Sequence, residues 1–301
     1  MPALICGSLA FDTITAFPGR FALQILPEQL HILNVSFLVP SLRREFGGCA
    51  GNIAYSLNQL GGEPLVLAAV GRDGDEYLRR IESWGASTAF VRRVADDHTA
   101  QAIIITDSDN NQITAFHPGA MQSAHLSAIP ARDDIRVAII APDGREAMLQ
   151  HAAQLARAGI PFIFDPGQGL PMFDGVELNR FIEQASWIAV NDYEAQMLCE
   201  RTGLTLATLS NSHLRGVIVT LGAQGCDLWV QGVCTRIPSM APSAVVDPTG
   251  CGDAFRAALL YGIERGWPLT RSLELGNRIG AIKIACRGGQ NHLLDRGRLG
   301  L

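Results

Sequence analysis

Along this chain, short and nearly unbroken apolar runs alternate with longer stretches in which apolar positions recur every three to four residues. The short runs, Ala3 to Gly7, Pro64 to Val70, Val137 to Ala141, Pro161 to Phe164, Trp187 to Val190 and Gly216 to Thr220, predict strands. The helical period predicts helices at Asn52 to Leu60, ended by Gly61-Gly62, at Asp73 to Trp84, Arg145 to Ala158 and Asp192 to Thr202, and in two apolar segments after Gly252 and Pro268. The alternation points to an α/β fold: a doubly wound, largely parallel sheet flanked by helices.

Two segments break the rhythm. Residues 13–46 carry apolar clusters with three prolines and little helical period, and His98 to His117 reads as a hairpin turning at Asp109-Asn110-Asn111. Ligands of open α/β sheets bind at the strand ends, so a small β element inserted there would make a lid. The expected organisation is an α/β core of residues 1–12, 47–97 and 122–301, with residues 13–46 and 98–121 forming the lid.

Composition narrows the partners. The 301 residues are 48% hydrophobic and 18% charged, enough for one large core, and a net charge of −5 with scattered arginines gives no general attraction for nucleic acid. Seven cysteines without a CxxC pair suggest reduced thiols, neither a disulfide framework nor a zinc knuckle. Met1 to Leu9 carries no basic segment before a long apolar run, and no stretch approaches the roughly 18 apolar residues of a membrane span. The expected location is the cytoplasm. The basic residues are 23 arginines and one lysine, Lys283, so the chain has neither a GxxxxGK[ST] loop nor the strand lysine of a protein kinase. Ile5-Cys6-Gly7-Ser8-Leu9-Ala10 also breaks the dinucleotide spacing after the first strand, which argues against an oxidoreductase.

Four short elements carry candidate chemistry. Asp247-Pro248-Thr249-Gly250-Cys251-Gly252-Asp253 places a glycine turn and a carboxylate ahead of an apolar helix. Amides at a helix start lack intrahelical partners and sit at the positive end of the dipole, so they can hold an anion while a neighbouring carboxylate takes a proton from an alcohol. Asp253 taken alone reads as an ordinary helix N-cap, and the two glycines flanking Cys251 with Asp247 just upstream turn the reading towards function. Phe46-Gly47-Gly48-Cys49-Ala50-Gly51-Asn52 opens a second helix, where glycine admits a ligand to the backbone and Asn52 can cap the helix and bind a hydroxyl. In Asn191-Asp192-Tyr193-Glu194, residues three apart share a helix face, suited to water-mediated magnesium, with a plain N-cap as the alternative. Val219 to Gly225 is a strand entering a two-glycine turn.

In order and spacing these elements resemble the ribokinase-like (PfkB) family of carbohydrate and nucleoside kinases, with GGCAGN as the N-terminal signature and DPTGCGDAF as the C-terminal one. The resemblance implies transfer of the γ-phosphoryl of ATP to a hydroxyl, with Asp253 as base and the Gly250, Cys251 and Gly252 amides as anion hole. It further implies that Asn191 and Glu194 act on Mg2+ through water, that Thr220, Gly222 and Gly225 form the nucleotide-phosphate turn, and that Asn277 lines the adenine pocket. Asp12, Gly48 and Asn52 match positions that hold sugar hydroxyls. The family's lid often doubles as its dimer surface, which leaves room for a homodimer, and the resemblance leaves room for a monovalent cation. Cys251 departs from the usual Ala and brings a thiol to the site.

Gln112 to Met121 is similar to the corresponding stretch of adenosine and nucleoside kinases of the family. Phe116 can stack there on a purine, and Phe11 is a second candidate wall. The expected activity is phosphorylation of the 5′-hydroxyl of adenosine or a related nucleoside. A kinase for ribose, fructose or a similar furanose is the alternative, and an inactive ligand-binding sensor a second one.

Overall fold

The computed structural model describes residues 2–25, 31–32, 34–109 and 111–301. Pro27, in the first irregular segment, and Asn110, at the expected hairpin tip, lie outside the described residues. The strands are β1 (Pro2–Cys6), β2 (Ala10–Ala16), β3 (Ser41–Gly47), β4 (Glu63–Val70), β5 (Val91–Arg93), β6 (Ala100–Thr106), β7 (Gln112–His117), β8 (Val137–Ile140), β9 (Phe162–Phe164), β10 (Trp187–Asn191), β11 (Val217–Thr220), β12 (Cys226–Val230) and β13 (Val233–Ile237). The main helices are α1 (Cys49–Gln59), α2 (Asp75–Ser83), α3 (Arg145–Ala158), α4 (Gly175–Gln184), α5 (Asp192–Thr202), α6 (Leu206–Ser210), α7 (Cys251–Glu264) and α8 (Leu269–Lys283).

Nine strands form one sheet in the order β13-β12-β11-β10-β9-β8-β1-β4-β5. It is parallel from β11 to β5, with β12 and β13 added antiparallel at one edge. All six expected strands lie in it. The strand-to-helix alternation was the visible signal, and it missed the short β5 and the antiparallel edge pair.

Because both faces are covered, consecutive residues of one strand enter different cores. Ala3 and Ile5 pack with residues of α1, α2, α7 and α8, whereas Leu4 and Cys6 pack with residues of α3, α4, α5 and α6. Among the described residues, no helix is long and apolar enough to cross a membrane.

A second sheet, β3-β2-β6-β7, is built from the two segments that broke the alternation. The expected hairpin is present as β6 and β7, paired antiparallel from Gln101–His117 to Thr106–Gln112. Strand β2 begins at Ala10, so Asp12 stands within the second sheet.

Candidate active site

The loop of residues 247–253 meets α7 through Gly250, the N-cap, in the left-handed conformation at φ 78°. A Cβ at this position would stand 2.9 Å from the Gly289 Cα, so backbone geometry and close approach both call for glycine. Asp253 is therefore not the cap; it sits within the first turn of the helix. The Cys251 N–H donates to the Pro248 carbonyl at 3.1 Å, while those of Gly250, Gly252 and Asp253 have no partner among the described residues. The free amides are thus not the expected trio, because Cys251 closes the turn that starts the helix. Nothing lies within 4 Å of the point where a Cβ on Gly252 would be, so this side of the turn is open.

Helix α1 starts at Cys49, three residues ahead of the expected position, with Gly48 as N-cap at φ 83°. A Cβ on Gly48 would come within 2.6 Å of the Ala10 nitrogen and the Ser8 oxygen, and Ser8 in turn accepts from the amides of Cys49 and Ala50. Asn52 is consequently not a cap. It is buried in the first helical turn, where its amide is free for a bond to another helix.

That bond goes to Asp253. Asn52 Nδ2 donates to Asp253 Oδ2 at 2.8 Å, and Asn52 Oδ1 accepts from Gln290 Nε2 at 3.1 Å. Gln290 also donates to the Tyr77 hydroxyl at 2.6 Å, and Tyr77 donates to the Gly47 carbonyl at 2.6 Å. The chain of donors leaves the Asn52 amide a single orientation, with its NH2 toward the carboxylate. Burial raises the Asp253 pKa to about 7 against the lowering effect of the Asn52 bond, and Asp165 raises it further while Arg256 opposes. A carboxylate that titrates near neutrality is matched to proton abstraction at physiological pH.

Three residues after Asp253 on α7, Arg256 forms a bidentate pair with Asp165, both bonds at 3.1 Å and both side chains buried. Asp165 directly follows β9, so the pair joins the sheet's carboxyl edge to the helix that carries Asp253. Sequence reasoning missed it. The available signal was a lone arginine inside the apolar run of α7 and an acidic residue directly after a strand.

Asn191 ends β10 and caps α5 in a complete capping box. Its side chain accepts from the Glu194 amide at 2.8 Å, Glu194 Oε2 accepts from the Asn191 amide at 2.8 Å, and Asn191 Nδ2 donates to Glu194 Oε1 at 2.8 Å. An ionised carboxylate accepts about four hydrogen bonds, so both Glu194 oxygens keep capacity for water. Burial raises the Glu194 pKa, Asp165 adds to this, and the Asn191 amide opposes it. Among the described residues no group of three or more His, Cys, Asp or Glu is placed to hold a metal ion directly.

Thr220 ends β11 opposite Asn191, and its hydroxyl donates to the Val190 carbonyl at 3.3 Å. The turn that follows contains Gly222 at φ 55°, with nothing within 4 Å of a Cβ, and Gly225 at φ 91°, where a Cβ would stand 2.1 Å from the Ile237 oxygen. Asn277 on α8 is buried and donates to the carbonyls of Ile237 and Pro238 at 3.2 and 3.0 Å. Gly225 and Asn277 therefore converge on one segment, residues 237–239.

The second sheet contributes a row of side chains on one face: Glu45, Asp12, Ala102 and Phe116, paired in turn across β3, β2, β6 and β7. Asp12 lies over Gly47, whose Cβ would meet its Oδ2 at 2.4 Å, and burial, then Asp247, then Glu45, raise its pKa to about 6. Phe116 stands two strands away, about 10 Å at the usual strand spacing. Its ring is 48% exposed. Phe11 points the other way and cannot be a wall. It is buried against Phe46 and Tyr77 at centroid distances of 5.7 and 5.5 Å, and the Arg44 guanidinium lies 3.5 Å over its ring.

The predicted residues thus fall into two groups on either side of Asp253. Asp12, Gly48, Asn52 and Phe116 lie toward the second sheet. Asn191, Glu194, Thr220, Gly222, Gly225 and Asn277 lie along the carboxyl edge of β10 and β11 and the antiparallel edge beyond.

The fold is shared with known proteins. A nucleoside kinase of Methanocaldococcus jannaschii is 30% identical over 285 residues, 93% of this chain and 91% of that protein. The structure of Burkholderia thailandensis nucleoside kinase in complex with inosine superposes with a TM-score of 0.88 at 49% identity, covering 98% of this chain and 94% of that one. The crystal structure of the M. jannaschii enzyme, an archaeal member of the ribokinase family, gives a TM-score of 0.90 at 26% identity over 99% of this chain and 96% of that one. With residues 22–296 matched by the model of the pfkB family carbohydrate kinases, the chain belongs to that family of phosphotransferases, which take a hydroxyl group as acceptor.

Proposed function

We propose that this protein is an ATP-dependent purine nucleoside kinase acting on the 5′-hydroxyl, with adenosine and inosine as the substrates to test first. The observation that carries this reading is the row Asp12–Ala102–Phe116. A carboxylate suited to ribose hydroxyls and an exposed aromatic ring share one sheet face, separated by a small side chain that leaves room for a ligand. A furanose alone gains little from an aromatic ring two strands away, whereas a purine can stack on it. The B. thailandensis relative was solved with inosine, which supports the same class.

In the proposed reaction Asp253 accepts the 5′-hydroxyl proton as the oxygen attacks the γ-phosphorus. The bond from that phosphorus to the bridging oxygen breaks, and ADP leaves with the electron pair. The free amides of Gly250, Gly252 and Asp253, at the positive end of α7, face the charge on the phosphoryl oxygens. Asn52 holds the Asp253 carboxylate by its 2.8 Å bond. Thr220, Gly222, Gly225 and Asn277 form the nucleotide side, and Gly48 lets the loop of residues 8–10 pack against the start of α1 on the acceptor side. Magnesium brought in with ATP would be held through water by Asn191 and Glu194 and would offset phosphate charge. The second sheet acts as the lid over the acceptor, and the nine-stranded sheet with its helices is the core.

The test is ATP consumption with adenosine, inosine, other nucleosides, ribose and fructose, with Asp253→Asn as control. Turnover of purine nucleosides well above free sugars is expected. Faster turnover of a free sugar refutes the nucleoside assignment, and tight binding without turnover points to a sensor.

A further inference from the structure

Lys283, the one lysine in the chain, is fully buried at the end of α8. Lysine is almost never fully buried unless its charge is compensated. Here the hydrogen bonds go to main-chain dipoles, with Nζ donating to the Asp247 carbonyl at 2.8 Å and to the Cys286 carbonyl at 3.0 Å, and the Asp247 carboxylate adds a charge of opposite sign nearby. The Asp247 carboxylate is used elsewhere, accepting from the Thr249 amide on Oδ1 and the Gly288 amide on Oδ2, each at 2.9 Å. The amides of Val246 and Asp247 both donate to the Ile284 carbonyl. Lys283 therefore sits where two backbone segments are joined. One is the loop that leads into the free amides of α7, and the other is the turn after α8, whose Gly289 touches Gly250. Carbonyl oxygens converging on one dehydrated cation is the coordination used for monovalent metal ions. The charge is also felt nearby: burial, then Lys283, pushes the His292 pKa down to about 4.

We infer that Lys283 is a tethered monovalent cation. Its ammonium locks the loop of residues 246–250 to the turn of residues 284–289, holds the anion-binding amides in position, and makes catalysis independent of free potassium. It is a positioning residue, since its ammonium contacts main-chain carbonyls of the loop. The catalytic part of the inference rests on the kinase reading; the cation-binding part does not, and the two are tested separately. Wild-type protein is expected to show the same kcat and the same melting temperature in potassium, sodium or tetramethylammonium chloride. Lys283→Ala vacates a cavity lined by the same carbonyls. Its kcat is expected to fall by about 10²-fold, as for other misplaced catalytic groups, with the nucleoside KM within about threefold. Ammonium, methylammonium or potassium should restore at least tenfold of the lost kcat in a saturable way and raise the variant's melting temperature, whereas tetramethylammonium, too large for the cavity, should do neither. Wild-type kcat in Lys283→Ala without added cation overturns the proposal, as does a folded variant whose kcat and melting temperature ignore every cation. If the wild type phosphorylates none of the substrates, the kinase reading fails, and the melting response still decides whether the cavity takes a cation. If Lys283→Ala is insoluble, Lys283→Met, which keeps the apolar stem, replaces it. Insolubility of both with and without ammonium also overturns the proposal.

Discussion

Replacing Asp253 by Asn should have two opposite effects whose pH dependences differ. The substitution is nearly isosteric and can keep the bond to Asn52 Nδ2, now through an amide oxygen. Loss of the base should lower kcat by at least about 10²-fold at pH 8. The same change removes a charge that folding disfavours. The Asp253 pKa stands at about 7 in the folded chain, against an ordinary 3.8, a difference of roughly three units. At 1.36 kcal/mol per unit the ceiling is about 4 kcal/mol, and partial solvent access and local relaxation reduce it to about 1–2 kcal/mol. Because the folded pKa is the higher one, the folded state binds the extra proton between about pH 4 and 7. Wild-type stability therefore falls as pH rises through that window, and the full cost is present above it. The Asn variant, neutral throughout, should melt about 2–6 °C above the wild type at pH 8, and the gain should vanish below pH 4. Thermal melting at half-unit steps from pH 4 to 8, beside a coupled ADP-release assay, measures both effects. A melting difference that stays constant across this range refutes the burial account of the pKa. A kcat within tenfold of wild type refutes the role of Asp253 as base.

The kcat/KM of the wild type should rise with pH to a plateau, with an apparent pKa near 7 set by the free enzyme's Asp253; a flat profile from pH 5.5 to 8 would contradict this. Phe116→Ala should raise the KM for purine nucleosides about tenfold, from the loss of roughly 1–3 kcal/mol of stacking, with a smaller effect on melting temperature than a core phenylalanine because the side chain is about half exposed. An unchanged KM would remove the base-stacking role. Arg256→Met leaves the Asp165 carboxylate buried without its partner and should cost about 3–5 kcal/mol in denaturant unfolding, most of it recovered in Arg256→Met/Asp165→Leu. No recovery in the double variant would show that the pair does more than neutralise itself.

Much of the site could be read from the chain because its chemistry lies in local turns. Gly48 and Gly250, each just before a helix, and Gly225, in the turn between β11 and β12, sit at positive φ, which glycines at such junctions already signal. Asn191 and Glu194 are three apart and close a capping box that any helix start of this spacing can form. The partners across the fold could not be read in this way. Asn52 and Asp253 are 201 residues apart and Asn52 and Gln290 238 apart, so only the packing of α1 on α7 and of residues 288–290 over both brings them together. Where a helix begins proved equally non-local. Ser8, from a different loop, satisfies the amides of Cys49 and Ala50 and draws α1 three residues forward, which changes Asn52 from a cap into a hydrogen-bond partner of Asp253.

What the sequence determined by itself was the alternation of buried strands and covering helices, and with it the parallel sheet, since the 2.0 and 3.6 residue periods are properties of the backbone and need no tertiary partner. With Lys283 as its one lysine the chain has no lysine-bearing phosphate loop, which left the glycine-rich helix starts as its candidate anion sites. Tertiary structure decided which amides are free, which neighbours set the pKa of Asp253, and which face of the second sheet Phe11 and Phe116 present, since each depends on contacts between segments far apart in the chain. It also decided the place of Lys283. In the sequence this residue served only to exclude a phosphate-binding lysine loop, and its role became visible once folding had placed the carbonyls of Asp247 and Cys286 around its ammonium.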